Sequence, residues 1–144
     1  MMALVQARRI DKILIANRGA IACRIIRTVA ALGKQSVAVY AQDDVDSRHI
    51  DLADEACSLG AGLVSDTYLN QAKILEIALA TGAQAIHPGY GFLAENAAFE
   101  QRCADLGIAF LGPTSEQMRV FGLKHSARVL AEQNAVPLLP GSPL

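Results

Sequence analysis

The sequence has no long apolar run and no excess of either charge. No apolar run approaches the ~18 residues that a helix needs to cross a bilayer. Residues 1–10 lack the apolar segment of a secretion signal, and a strand predicted from Lys12 argues against a matrix-targeting peptide. The 13 basic and 14 acidic residues are interspersed along the chain. Charge therefore indicates neither nucleic acid nor an anionic membrane as a partner.

Cysteine and histidine are sparse and show no metal-binding pattern. Cys23, Cys57 and Cys103 are too far apart for a CxxC redox pair or a zinc-ligand group, so we expect them to pack in the core. An odd number of cysteines without a secretion signal favours a reducing compartment, and we expect a cytoplasmic protein. His49 and His125 have no ligand partners at recognisable spacing and are interpreted as surface or hydrogen-bonded residues. No metal site is predicted.

What the sequence has is a regular alternation of strands and helices. Its 144 residues, 52% hydrophobic and 19% charged, suit one globular domain. Apolar, β-branched runs alternate with helical stretches, which predicts an α/β fold with a parallel sheet and crossover helices. The five predicted strands cover residues 12–16, 36–40, 56–59, 84–87 and 108–111.

The helices are predicted from apolar periodicity and from their end signals. In the first helix one stripe is expected to face the sheet, and Gly33 is expected to end the helix; the stripe contains Ile21, Ile25, Val29 and Leu32. Later helices are predicted over residues 70–81, 97–106, 114–121 and 123–134. Leu79 and Leu106 are predicted to point inward, and Thr114 with Gln117 resembles a capping box.

Two turns could carry chemistry. Asn17, Arg18 and Gly19 follow the first strand, where a helix N-terminus can bind phosphate. A dinucleotide fingerprint needs three spaced glycines, and the single Gly19 favours an ordinary tight turn. Arg24 and Arg27, one helical turn apart, are expected to flank the buried stripe, and the pattern favours a solvated face over an interface.

Residues 87–96 (HPGYGFLAEN), called the glycine-rich loop below, follow a predicted strand and precede a helix. Ligands of open α/β sheets bind at the carboxyl ends of strands, where this loop should lie. Gly89 and Gly91 permit close backbone approach, and Tyr90 offers a ring and a hydroxyl. Two interpretations stay open: a pocket wall, or a rigid turn in which Tyr90 packs inward and Glu95 favours the next helix N-terminus.

Residues 121–126 (FGLKHS) place Lys124 at a predicted helix start. A lysine there could meet a phosphate as a compact point charge. An isolated lysine is more often a solvated surface residue, since lysine is rarely buried unless paired. The residue pattern alone therefore favours the surface interpretation.

An ordered set of motifs carries a family resemblance. The segments are ILIANRG with IACRIIR, VAVY with DVDSRHIDLADEA, TYLN, AIHPGYGFLAENAAF and FLGPT. Together they resemble the N-terminal domain of biotin carboxylases, the ATP-grasp component of biotin-dependent carboxylases. The resemblance implies a Rossmann-like (pre-ATP-grasp) three-layer domain with a mainly parallel sheet of about five strands. It implies a domain over residues 1–122, with residues 123–144 beginning the connection into an ATP-grasp domain.

The same resemblance implies an activity and its cofactors. ATP and bicarbonate form carboxyphosphate, CO₂ passes to a biotin ring nitrogen, and a carboxyltransferase region delivers it to the acceptor. Lys124 matches the family lysine on the nucleotide phosphate, and Tyr90 and Gly91 match the loop on the biotin and bicarbonate side. Arg24 and Arg27 match positions near the dimer interface of bacterial biotin carboxylases, which implies a homodimer.

Within the family, FGLKHSAR and VPLLPGS are most similar to urea carboxylase, whose product is allophanate. Acyl-CoA and pyruvate carboxylases more typically have glycine-aspartate-lysine at positions 122–124. The alternatives are the same domain of an acyl-CoA or pyruvate carboxylase, or a stand-alone nucleotide-binding or dimerisation module. Reading the Pro and Gly ending as a domain boundary favours a fragment.

The resemblance also shows what this chain lacks or changes. The family's lid, magnesium-binding acidic residues and catalytic base lie further along the chain, so no catalytic residue or metal ligand is expected here. We expect the chain to need no cofactor for folding and to be inactive without its ATP-grasp, carboxyltransferase and biotinyl carrier partners. Ala20 replaces the usual glutamate after arginine-glycine, and Ala94 replaces the usual serine of the glycine-rich loop.

Overall fold

The computed structural model describes residues 9–140, so the predictions for residues 1–8 and 141–144 lie outside it. Five strands form one sheet: β1 Lys12–Ile15, β2 Gln35–Ala41, β3 Glu55–Gly60, β4 Ala85–His87 and β5 Ala109–Phe110. Their order is β3-β2-β1-β4-β5, and every neighbouring pair is parallel. The predicted α/β fold with a five-stranded parallel sheet is confirmed.

Six α-helices connect or follow these strands in the described range: α1 Gly19–Ala31, α2 Arg48–Leu52, α3 Gln71–Thr81, α4 Ala97–Asp105, α5 Ser115–Phe121 and α6 Lys124–Gln133. Two 3₁₀ turns, Gln42–Asp44 and Val64–Asp66, precede α2 and α3. The sequence prediction contained no α2. Its five residues span little more than one turn, too short for apolar periodicity to show.

The elements form three layers because successive strand residues face opposite sides of the sheet. Ile15 of β1 packs with Ala22 and Ile26 of α1. Leu14, its neighbour, belongs to the larger cluster on the other face, with side chains from α3 and α4 such as Phe99. The three-layer arrangement expected from the resemblance is therefore confirmed.

The predicted buried stripe of α1 is correct at Val29, which is buried, and in part at Ile25, which packs partly buried against the core, but its rotation is wrong. Ile21 and Leu32 are 39% and 67% exposed. The buried side chains of α1 are Ala22, Cys23, Ile26 and Val29. The true face is offset by one residue, roughly 100° around the helix. Small Ala22 lets the helix approach the sheet closely, whereas bulky Ile21 lies at the edge beside the glycine-rich loop.

Two other leucines predicted to point inward are exposed. Leu79 is 54% exposed because it lies roughly a quarter turn from the buried Ile74, Leu75 and Ala78. Leu106 is 46% exposed because it is the C-cap of α4, where the chain leaves the core for the surface. The inward positions of the other predicted residues of α3 and α4 are confirmed.

The predicted helix ends and cysteine roles are largely confirmed. Gly33 follows α1 with φ +66°, and Thr114 and Gln117 form a reciprocal capping box. Cys23 and Cys103 are buried, and Cys57 is partly buried; all three are free. Among residues 9–140, no helix has the length and apolarity to cross a membrane, and no three ligand-type side chains cluster to hold a metal ion.

Candidate functional site

The central strands β1 and β4 define a switch point in the sheet. From β1 the chain continues to β2 on one side, whereas β4 leads to β5 on the other. Ile15 pairs with His87 at the carboxyl ends of these strands, and the Ala16 N–H donates to the His87 carbonyl at 2.9 Å. In open α/β folds the ligand crevice lies at such a point. The turn after β1 and the glycine-rich loop after β4 meet here.

Asn17 joins these two loops. Its side chain is 3% exposed, and its Nδ2 donates to the Pro88 carbonyl at 2.8 Å and the Tyr90 carbonyl at 2.9 Å. Its Oδ1 accepts from the Arg18 N–H at 2.9 Å. All three bonds satisfy an amide that would be costly to bury unpaired. The tight-turn interpretation is confirmed: Asn17 is used internally, and Gly19 starts α1 with φ +58°.

The glycine-rich loop presents Tyr90 outward. Tyr90 is 80% exposed, so the alternative in which it packs inward is wrong. Tyr90, Gly91, Phe92 and Glu95 line a shallow cavity of about 300 Å³. No atom lies within 4 Å of the position of a Cβ on Gly91, so a ligand could approach the backbone there. Asn96, rather than Glu95, caps α4 by accepting from the Phe99 N–H at 2.9 Å.

Behind the loop, four side chains form a continuous network, called the Arg18–Phe92 network below. Arg18 Nε donates to Asp44 Oδ2 at 2.6 Å, and its Nη2 donates to Asp44 Oδ1. The Tyr68 hydroxyl donates to Asp44 Oδ2 at 2.5 Å and accepts from the Ala41 N–H at 3.0 Å. The Tyr68 ring stacks on Phe92 with centroids 5.2 Å apart and planes 7° apart. The network links four segments that are distant in sequence.

Charge and burial fix the protonation states of this network. The Arg18 guanidinium, followed by the Tyr68 hydroxyl, stabilises the carboxylate and lowers the pKa of Asp44 to about 2. Burial, followed by the hydrogen bond to Asp44, raises the pKa of Tyr68 to about 12. The hydrogen bond to Asp44 also raises the pKa of Arg18. At neutral pH the network is an ion pair bonded to a neutral phenol.

His87 opens the loop as a hydrogen-bond acceptor. Its Nδ1 accepts from the Gly89 N–H at 3.0 Å, which requires Nδ1 to be unprotonated. Burial lowers the pKa of His87 and favours the same neutral form. Gly89 has φ +67°, and a Cβ there would lie 2.9 Å from Ile21 Cγ2. The loop backbone is therefore held close to both β4 and α1.

Arg24 and Arg27 are not among the residues that line the cavity. Arg24 and Arg27 are exposed on α1, and the Arg24 guanidinium bonds Thr28 of the same helix, as a solvated face predicts. The side chain of Lys124 is outside the described part of the structure. The first turn of α1, which contains Ala20, has no acidic residue. The Ala94 N–H bonds the Gly91 carbonyl at 2.8 Å through its backbone alone.

Sequence reasoning missed Asp44 and Tyr68 as parts of this site. Both lie in segments that the family motifs contain, DVD and TYLN, but nothing in their spacing indicates a contact with Arg18 or Phe92. An acidic residue just beyond β2 was the available signal, because carboxyl ends of neighbouring parallel strands meet at one edge of the sheet.

Comparison with known proteins gives consistent matches. The family model for the biotin carboxylase N-terminal domain matches residues 9–118. Urea amidolyase of Lachancea kluyveri is 52% identical over 134 residues, which are 93% of this chain and 7% of that protein. Mitochondrial methylcrotonoyl-CoA carboxylase subunit alpha of Mus musculus is 48% identical over 132 residues, 92% of this chain and 18% of that protein.

A solved structure agrees with these matches. The crystal structure of Kluyveromyces lactis urea carboxylase superposes with a TM-score of 0.88 at 50% identity, covering 91% of this chain and 12% of that chain. The chain thus spans less than a fifth of each of these three relatives. The family-model match covers most of the chain. The fold of this chain and the order of its motifs agree with that match. The chain belongs to the biotin carboxylase N-terminal domain family.

Proposed function

We propose that this chain is the N-terminal domain of the biotin carboxylase component of a urea carboxylase. In this role it forms one wall of the site where biotin is carboxylated with ATP and bicarbonate. The observation that carries the proposal is the outward-facing Tyr90 and Gly91 at the switch point of the sheet. Identities of 52% and 48% to a urea and an acyl-CoA enzyme are close, so the urea assignment rests on residues 121–126.

The chemistry of the wall suits biotin and bicarbonate. Tyr90 offers a hydroxyl that can donate or accept, and its exposed ring can cover an apolar ring edge. Gly91 leaves its backbone approachable, and the Phe92 ring is 37% exposed beside it. Biotin, when bound, supplies the ring nitrogen that accepts CO₂. The residues of this chain orient the ligand and limit its contact with water.

The remaining site assignments belong to the same proposal. Lys124 contacts a nucleotide phosphate, and Mg²⁺ accompanies ATP on residues outside this chain. Arg24 and Arg27 lie at a homodimer interface. Residues 1–122 form the domain, and residues 123–144 start the connection to an ATP-grasp region. The exposure of Arg24 and Arg27 supports the interface assignment. The absence of any buried residue in the described part of α6 supports the boundary after residue 122.

The whole activity requires partners. An ATP-grasp region, a carboxyltransferase region and a biotinyl carrier domain complete the reaction. Phosphoryl transfer depends on metal ions and positioned charges that, within the family, lie further along the chain. We therefore expect the isolated 144-residue chain to hydrolyse no ATP above a heat-treated control in the presence of bicarbonate and biotin.

The test is a steady-state assay of the full-length gene product, read beyond the codon for Leu144. We expect bicarbonate-dependent ATP cleavage, with urea preferred over 3-methylcrotonoyl-CoA, acetyl-CoA and pyruvate as acceptor. Preference for another acceptor would overturn the urea assignment alone. No bicarbonate dependence with any acceptor, together with tight calorimetric binding of ATP to the isolated chain, would favour a nucleotide-binding module instead.

Variants of the same protein test the site. Tyr90→Ala should raise the KM for bicarbonate and for added biotin, and Lys124→Ala should raise the KM for ATP. Lys34→Ala is the matched control for Lys124, because Lys34 bonds Asp11 at 3.2 Å at the opposite end of the sheet. Equal effects of the two lysine variants would remove Lys124 from the nucleotide site. Light scattering that shows a monomer at high concentration would exclude a dimer through Arg24 and Arg27.

A further inference from the structure

Phe92 is held in a conformation that its side chain disfavours. Its φ is +40°, in the left-handed region that a residue with a Cβ rarely adopts. Ala135 is the other described non-glycine residue with positive φ, and it lies after α6, away from the loop. Such a backbone persists where surrounding contacts over-determine it. In the glycine-rich loop, the stack of Phe92 on Tyr68 is one such contact.

Tyr68 is fixed at both ends. It is 3% exposed, its hydroxyl lies between the Ala41 N–H and Asp44, and its ring meets Phe92. Asp44 is held in turn by two hydrogen bonds from Arg18. The ring of Tyr68 therefore has little freedom to follow Phe92 if the loop moves.

The loop is thus held from two sides. The Asn17 amide bonds the carbonyls of Pro88 and Tyr90, and the Tyr68 ring packs on Phe92 two residues later. The Tyr90 side chain and Gly91 line the cavity beside these attachments, whereas Tyr68 is not among its lining residues. Phe92 lines the cavity and stacks on Tyr68, so the stack connects Tyr68 to a ligand in the cavity.

We propose that Tyr68 is a positioning residue, which sets the Tyr90–Gly91 wall through its stack on Phe92 and so determines affinity on the bicarbonate and biotin side. This inference rests on the proposed function of that wall. Arg18 and Asp44 contribute by fixing the Tyr68 hydroxyl. An aromatic pair contributes about 0.5–1.5 kcal/mol beyond its buried area, so losing the stack should weaken binding roughly two- to tenfold.

The experiment compares Phe92→Leu and Tyr68→Leu with the conservative variants Phe92→Tyr and Tyr68→Phe in the full-length gene product. Both leucine variants should raise the KM for bicarbonate and added biotin roughly two- to tenfold and leave the KM for ATP unchanged. Phe92→Tyr and Tyr68→Phe keep both stacked rings, so their KM values for bicarbonate and added biotin should stay close to those of wild type. If Tyr68→Leu fails to fold, Asp44→Asn replaces it in the comparison, because Asp44 holds the Tyr68 hydroxyl and does not line the cavity.

Phe110→Leu is the matched control, since it removes another aromatic pair, Phe99 with Phe110, whose centroids are 6.1 Å apart. Its KM values should stay within about twofold of wild type. A readout independent of turnover is amide hydrogen exchange over residues 89–95, which should quicken in Phe92→Leu and Tyr68→Leu but not in Phe110→Leu.

The outcomes separate this inference from the proposed function. If Tyr90→Ala raises the KM for bicarbonate but Phe92→Leu matches Phe110→Leu, positioning by Tyr68 is overturned and the wall stands. If the amide hydrogen exchange of residues 89–95 is unchanged in both leucine variants, positioning is likewise overturned. If Tyr90→Ala changes no KM, the wall itself is overturned, and Tyr68 has no ligand to position there.

Discussion

A Cβ atom on Gly89 would lie 2.7 Å from the side-chain amide nitrogen of Asn17. The close approach and the φ of +67° both require glycine. Gly89→Ala should therefore destabilise the protein by about 3 kcal/mol, from left-handed strain plus overpacking. Urea unfolding followed by far-UV circular dichroism would measure the change.

Gly33→Ala isolates the strain from the overpacking. Gly33 has nearly the same φ, +66°, but no atom within 4 Å of its Cβ position. We expect this variant to lose about 1 kcal/mol. Equal losses for Gly33→Ala and Gly89→Ala would mean that the contact with Asn17 relaxes without cost.

Asn17→Asp should be strongly destabilising although it changes one atom. The substitution places a carboxylate oxygen, instead of the Nδ2 donor, against the carbonyls of Pro88 and Tyr90. A buried charge facing two acceptors should cost more than about 2 kcal/mol in the free energy of unfolding.

Asn96→Asp is the control for this change. Asn96 is the N-cap of α4, and its Oδ1 accepts from the Phe99 N–H at 2.9 Å. Aspartate serves equally well there, and the helix dipole favours its charge, so stability should change by less than about 0.5 kcal/mol. Similar losses at both positions would contradict the donor role of Asn17.

Local chemistry explains why so much of the fold was predictable. Buried parallel strands such as β1 and β2 are nearly continuous apolar runs, and Gly33 and the Thr114–Gln117 capping box mark helix ends through short-range bonds. The rotation of α1 was not predictable in the same way. Ile25 and Ile26 are both apolar, so periodicity alone admits two faces, and only the close approach to the sheet selects the one with Ala22.

The candidate site was predictable in position but not in its supporting contacts. Gly89 and Gly91 after a strand indicate the glycine-rich loop, since ligands bind at strand carboxyl ends. The contact of Arg18 with Asp44, 26 residues apart, depends on β2 lying beside β1. The stack of Tyr68 on Phe92 depends on the sheet order as well, and Tyr68 lies outside any predicted element.

Asp44 should make stability depend on pH at the acid end. Its pKa is about 2 in the folded protein against 3.8 as the ordinary value, so the unfolded chain binds its proton first as the pH falls. The contribution is fully present above about pH 4 and is lost as the pH falls toward 2. It should amount to about 1–2 kcal/mol, because solvent screens the half-exposed Arg18.

Asp44→Asn measures this contribution. The difference in unfolding free energy between wild type and Asp44→Asn should be largest at neutral pH and should shrink between pH 4 and pH 2. Asp43→Asn, an exposed neighbour, should remain close to wild type in stability at neutral pH. A difference that is constant from pH 7 to pH 2 would show that Asp44 stabilises through shape rather than charge.

His87 should make the free energy of unfolding depend on pH near neutrality. As with Asp44, stability should fall as the pH falls. Burial lowers its pKa below the ordinary 6.5, so the unfolded chain binds a proton that the folded protein resists. Stability is complete above about pH 6.5 and falls as the pH drops from there toward the lower pKa of the folded state.

His87→Asn offers an Oδ1 that can accept from the Gly89 N–H but cannot titrate, so its unfolding free energy should fall less between pH 7 and pH 5. His125→Asn, which changes an exposed histidine, should leave the unfolding free energy at pH 7 close to that of wild type. Parallel profiles for wild type and His87→Asn would mean that His87 is protonated as readily in the fold as in the unfolded chain, and that its bond to the Gly89 N–H adds no stability.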